Sequence, residues 1–393
     1  MPNFVQEFRS TDVGMPVLNG VAGALIGVLD ACLVNGGAAQ PVTGIVEAGT
    51  TYTATIPADV TLENKDWLVI AGAAPAGANG TFQTTLIDST HFSYVGPGSL
   101  GAITGSITYK RAPLGWTKPF VVGSVAAYLA AVVAGLPRFY LRVDDNYAGL
   151  GTVLNAAVRG YETMSDVNTG TGPFPTVGQQ ANGLSWRKSL TADATARPWI
   201  LIGDGATFYL IVNSDNSITA GRLLCSFGAY TSFKPTDAYN CALGGTSTFN
   251  TGAPTLNLVG LGGAVFASSY VGSTGLYCAR GLSQAGGAVA LQQINKWAAA
   301  GGALGGVTQA GYVLYPAPAD GALWIDTTLL QDATGSPRGK PRGLYTTPHL
   351  VSPFASEFDI ATNVAGLPGV TLINYLHSIN QAGAVQFDRY GPW

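Results

Sequence analysis

Charge is what this sequence has least of. It carries 19 Lys and Arg and 22 Asp and Glu in 393 residues, so 10% of its side chains are charged, against roughly 25% in an average soluble protein. A lone monomer with so few charges risks association, whereas a subunit covered by copies of itself or by partners does not need them. At a net charge of −3 the chain also lacks the basic face of a nucleic-acid binder. Its one dense basic stretch, Arg338, Lys340 and Arg342, is interrupted by Gly339 and Pro341 and reads as a solvated loop.

Histidine and cysteine are scarce too. His91, His349 and His377 have no Cys, His or carboxylate three to five residues downstream. Asp88, three before His91, makes one pair, and a zinc site needs close ligand pairs from more than one place. Cys32, Cys225, Cys241 and Cys278 form no C-x-x-C. Buried free thiols are expected, with Cys225 and Cys241 the one pair to check for a bridge. There is no G-x-S-x-G elbow, and Gly260–Gly263 is not followed by the Lys–Ser/Thr that grips phosphate. The chain is expected to be catalytically inert, with no cofactor and no metal.

Long apolar runs are missing as well. Gly20–Val34 is apolar but holds Asp30, and at about 15 residues it falls short of the ~20 that span a bilayer. It reads as a short packed helix, with Asn19 as N-cap and Gly36–Gly37 as the stop. Met1–Asp12 contains Glu7, Arg9 and Asp12 where a secretory leader would be apolar. Neither a signal segment nor a membrane partner is expected.

What is present is glycine, 53 residues of it, punctuating short runs rich in Val, Ile, Thr, Tyr and Phe. The length admits about two to three domains at ~150 residues each. The expected fold is mainly β: a small β-sandwich or barrel module plus a larger β-rich domain with few short helices. Residues 1–38 form an arm and the short helix. Residues 39–112 form the module, with strands predicted at Gly44–Glu47, Tyr52–Ile56, Trp67–Ile70, Thr81–Ile87, Phe92–Val95 and Ser106–Tyr109. The main domain spans 113–393 and opens on a linker-like Pro113–Pro119. Its predicted strands include Arg138–Val143, Ala157–Met164, Arg222–Phe227, Tyr312–Tyr315, Leu323–Thr327 and Ala384–Asp388. Trp199–Ile202 and Thr207–Val212 flank Gly203–Ala206 as a hairpin. Leu291, Ile294 and Trp297 predict a helix over Ala288–Trp297.

Local clusters are few. Asp144 and Asp145 are adjacent, so on a continuing strand they face opposite sides; an Asx turn is the plain reading and a Ca²⁺ loop the alternative. Arg159, Glu162 and Asp166 read as ion-pairing residues. Seven Trp and seventeen Tyr suit core packing and interface anchors better than a sugar platform, because no Trp–polar cluster stands out. The arm has Phe4, Val5, Phe8 and Val13 as its apolar anchors. Phe4 and Phe8, four apart, share a face, and one of them is expected to insert into a partner's groove. Docking on its own chain stays open as the alternative.

Gly44–Tyr109 resembles a small β-domain recurrent in tailed-phage structural proteins, through Trp67–Ala73, Ala78–Phe82, Phe92–Tyr94 and Gly101–Ile107. The larger section resembles an uncharacterised family of phage and prophage proteins, through Phe139–Asp145, Tyr161–Asp166, Gly172–Thr176, Gly203–Gly205 and Phe387–Trp393. The resemblance implies a bacteriophage virion protein and says little about its place in the particle; a tail, neck or baseplate assembly subunit is the leading expectation. A capsid decoration or vertex protein and a tail-tip receptor-binding protein are the alternatives. Implied partners are other virion proteins and copies of the chain, with a host surface receptor as a further candidate. It brings no catalytic residues.

Overall fold

The computed structural model describes residues 3–146, 154–214, 223–247, 274–294 and 329–345, with positions 325 and 327 and most of 358–393. The fold is mainly β, 46% strand against 5% helix. The predicted strands at Tyr312–Tyr315 and Leu323–Thr327 fall largely or wholly outside the described residues, as do Gly260–Gly263 and His349.

The centre is an antiparallel meander of Trp199–Gly203, Thr207–Val212, Leu223–Ala229 and Cys241–Thr246. The first three are buried along their whole length, because both faces of the sheet are covered. Trp199, Leu201, Phe208, Leu210 and Phe227 point into one core. Their alternates Ile200, Ile202, Tyr209, Ile211 and Leu224 point into a second. The period of two thus divides an almost unbroken apolar run between two cores. From Cys241–Thr246 the sheet continues one way through Leu184–Arg187, Asn155–Met164, Tyr140–Asp144 and Val125–Leu129 to the edge strand Thr117–Val122. The other way it runs through Thr274–Cys278, Val289–Ile294 and Leu329–Asp332 to Pro337–Lys340.

The first core is capped by the helix Ala24–Leu29, which widens into a π turn over Asp30–Asn35 and ends at Gly36, φ 76°. Asn19 only closes a turn onto the Val21 amide; the helix starts after Gly23, and its Leu25 amide donates to Asp145 Oδ2 at 2.8 Å. The second core is covered by a four-stranded sheet that includes Thr371–Ser378 and Gln381–Asp388. A separate seven-stranded sheet occupies 40–111, around its own core of Tyr52, Leu68, Ile70, Phe92 and Tyr109.

Four further expectations are corrected. Val289–Ile294 is a strand, not a helix: Tyr277–Cys278 and Leu329–Asp332 pair with it on either side and override the three-residue spacing. Pro113–Pro119 is no free linker, since Leu114 and Trp116 are buried in the first core and the Trp116 indole donates to Asp204 O. The basic stretch is not a solvated loop, for Arg338 is fully buried and Arg342 nearly so.

The arm is the fourth. Gln6–Arg9 is a strand paired antiparallel with Trp199–Gly203 of its own chain. Phe8 is fully buried in the first core, and Phe4 stacks on Trp67 at 4.7 Å. Neither ring is available to a partner's groove, because the neighbouring strand and the module supply the missing contacts from within. Phe8→Ala is expected to destabilise the chain by about 3–5 kcal/mol in chemical denaturation, with the slope of the transition unchanged. A loss below about 1 kcal/mol would mean that the arm is not part of the core.

Candidate functional site

The strands Tyr140–Asp144 and Asn155–Met164 pair so that Arg142 lies directly opposite Arg159 and Tyr140 opposite Tyr161. Like charges at directly opposed positions repel, and this sheet spends two of a small stock of cations that way. Both arginines line an open cleft of about 290 Å³, together with Asp144, Tyr161, Asn168 and Asn182. The guanidiniums are held from behind. Arg142 Nε donates to Val167 O at 2.9 Å and Nη2 to Asn168 Oδ1 at 3.1 Å. Arg159 Nη2 donates to Gln180 O and Ala181 O at 2.5 and 2.9 Å. Asp144 Oδ2 stands 3.6 Å from Arg142 Nη2, the one carboxylate in the cleft. Arg159 Nε is buried and finds no hydrogen-bond partner among the described residues. The result is a rigid, cation-rich cleft flanked by the stacked rings of Phe120 and Tyr140.

A second polar assembly joins the arm, the module and the C-terminal sheet. Arg111 Nη1 binds Asp66 at 2.7 Å, its Nε binds Asp12 at 3.0 Å, and its Nη2 donates to Thr61 O. Arg9 binds Glu7 and, at 2.9 Å, Glu63, while Arg389 reaches the same two carboxylates. Three guanidiniums therefore face four carboxylates. Burial pushes both Asp12 and Asp66 up to about 6, against the pull of Arg111.

The residues singled out in the sequence are taken up by structure. Asp145 and Lys188 form a fully buried ion pair. Lys188 Nζ also donates to Val21 O at 2.6 Å, so the pair ties the sheet to the turn before the helix. Burial raises Asp145 and lowers Lys188, each opposed by the other's charge. Asp144 faces the other side, into the cleft. Glu162 takes a bidentate bond from Arg280, 2.6 Å on each arm, and Arg280 lies over the Tyr239 ring. Asp166 closes a turn onto the amides of Asn168 and Thr169. His91 sits 3.0 Å from Asp88 in a hairpin turn. All four cysteines are buried free thiols, Cys225 and Cys241 included.

No protein-family model matches this chain, and no curated protein matches it in sequence. The cleft was missed because Arg142 and Arg159 lie 17 positions apart. A signal was there: each strand carries a Tyr two residues from its Arg, Tyr140 before Arg142 and Tyr161 after Arg159, the mirrored spacing of an antiparallel pair.

The junction has a pH signature. The folded chain holds protons at Asp12 and Asp66 up to about pH 6, while the unfolded chain releases them near 4. This contribution to stability is full below about 4 and is lost as pH rises through about 6. One proton also balances the four carboxylates against the three guanidiniums. The melting temperature of Asp66→Asn is expected to depend less steeply on pH between 7 and 5 than that of the wild type. Arg111→Leu, which strands both carboxylates, is expected to cost about 3–5 kcal/mol at pH 7. Parallel pH profiles for wild type and Asp66→Asn would refute the assignment.

Proposed function

We propose that this chain is a structural subunit of a tailed-bacteriophage particle, most readily a tail, neck or baseplate component. The observation that carries the reading is where the charge lies. Among the described residues sixteen charged side chains are buried, Glu7, Asp145, Lys188, Asp204, Arg338 and Arg342 among them, in a chain that has only 19 basic and 22 acidic residues. The described surface is left with correspondingly few charges, and on it Val46, Val60, Val95, Val122 and Val132 stand more than half exposed. A surface of that kind favours packing against copies or partners over life as a free monomer. The resemblance of Gly44–Tyr109 and of the larger section to phage structural proteins supports the virion as the assembly in question.

A second reading, a receptor-binding protein at the tail tip, has the Arg142–Arg159 cleft in its favour. Mass spectrometry of gradient-purified particles from the phage or prophage that encodes the chain is expected to find it at a fixed copy number. Recovery of the chain only from the soluble fraction, with none in particles, would overturn the proposal. Purified protein is expected to give background rates on peptidoglycan, polysaccharide and ester substrates; turnover abolished by a single substitution would contradict the structural role.

A further inference from the structure

We infer that the Arg142–Arg159 cleft binds an anionic sugar, with its charged substituent between the two guanidiniums and its ring against Tyr161. The inference is independent of the virion reading. Three observations converge on it. The first is the opposed arginine pair: without a counter-ion between them, two cations at directly facing positions destabilise the sheet, and Asp144 at 3.6 Å offsets only one. The second is the donor inventory. Arg142 Nη1 and Arg159 Nη1 make no hydrogen bond to any described protein group. A carboxylate or phosphate supplies the acceptors these atoms lack, in the planar geometry that guanidinium favours.

The third is shape. A cleft of about 290 Å³ is larger than a lone carboxylate side chain fills and lies near the lower bound of roughly 300 Å³ for small-molecule sites. Tyr140 and Tyr161 lie two positions along their strands from the arginines, roughly 7 Å away at ~3.4 Å per residue. One sugar ring bearing a charged group spans that offset. The Asn168 and Asn182 amides at the rim suit ring hydroxyls. The arginines themselves are fixed by backbone carbonyls from two loops, so little side-chain entropy remains to be lost on binding.

Isothermal titration or saturation-transfer NMR of the full chain tests this with D-galacturonic acid, glucose 1-phosphate and neutral galactose. The two acids separate a carboxylate source from a phosphate source, and at least one is expected to bind about tenfold or more tightly than galactose. Arg159→Gln and Arg142→Gln are each expected to weaken that binding about tenfold or more. Asn182→Asp, an exposed loop change that leaves the strands intact, places a negative charge at the rim and is expected to weaken the acid while leaving melting unchanged. The inference is overturned if neither acid outbinds galactose, or if binding survives all three substitutions. It is also overturned if the acids do not bind and the substitutions change self-association in sedimentation instead, which would make the cleft a contact for an acidic protein surface.

Discussion

The strand Gln6–Arg9 holds the parts of this molecule together. Its two faces point into different environments, because side chains alternate along an extended chain. On one face Phe4 stacks on Trp67 of the module, Gln6 accepts the Trp67 amide, and Phe8 enters the first core. On the other face Val5 joins the second core, and Glu7 and Arg9 meet Arg389 and Glu63. The segment 4–9, this strand and the two residues before it, thus contacts both cores, the module and the C-terminal sheet. The sheet between the two cores is buried on both sides partly because this strand extends it past Trp199–Gly203.

Charge follows the same logic. Buried ion pairs contribute little net stability against well-packed apolar groups, but breaking one is costly. Here they sit where separate elements must meet at a fixed position: Arg111 between arm and module, Lys188 and Asp145 between sheet and helix, Arg342 and Asp204 between the C-terminal region and the central hairpin. Such pairs define which surfaces dock and leave the outside short of charge. The fold's demand for internal registration and the proposed demand for a coverable exterior are then two consequences of one distribution.

Much of the strand inventory was legible in the sequence. In the module the β-branched and aromatic runs are short, and turn residues such as Asn79–Gly80 and Gly96–Gly98 delimit them. The hairpin around Gly203–Ala206 was equally plain. Less legible was anything set by distant partners. Arg338 and Arg342 look solvated beside Gly339 and Pro341 until Tyr230, Asp237 and Asp204 arrive from elsewhere in the chain. The spacing of Leu291 and Ile294 suits a helix, and only the flanking strands decide otherwise. Phe4 and Phe8 do lack a core within the arm; that the core comes from the same chain depends on a strand nearly two hundred residues later.

The arm's role is tested most directly by native-state hydrogen exchange. Amides of the segment 5–10 are expected to exchange with the slowest group, together with those of Trp199–Gly203, through global unfolding only. Exchange of that segment at the rate of a fraying terminus, while Trp199–Gly203 stays protected, would contradict the account.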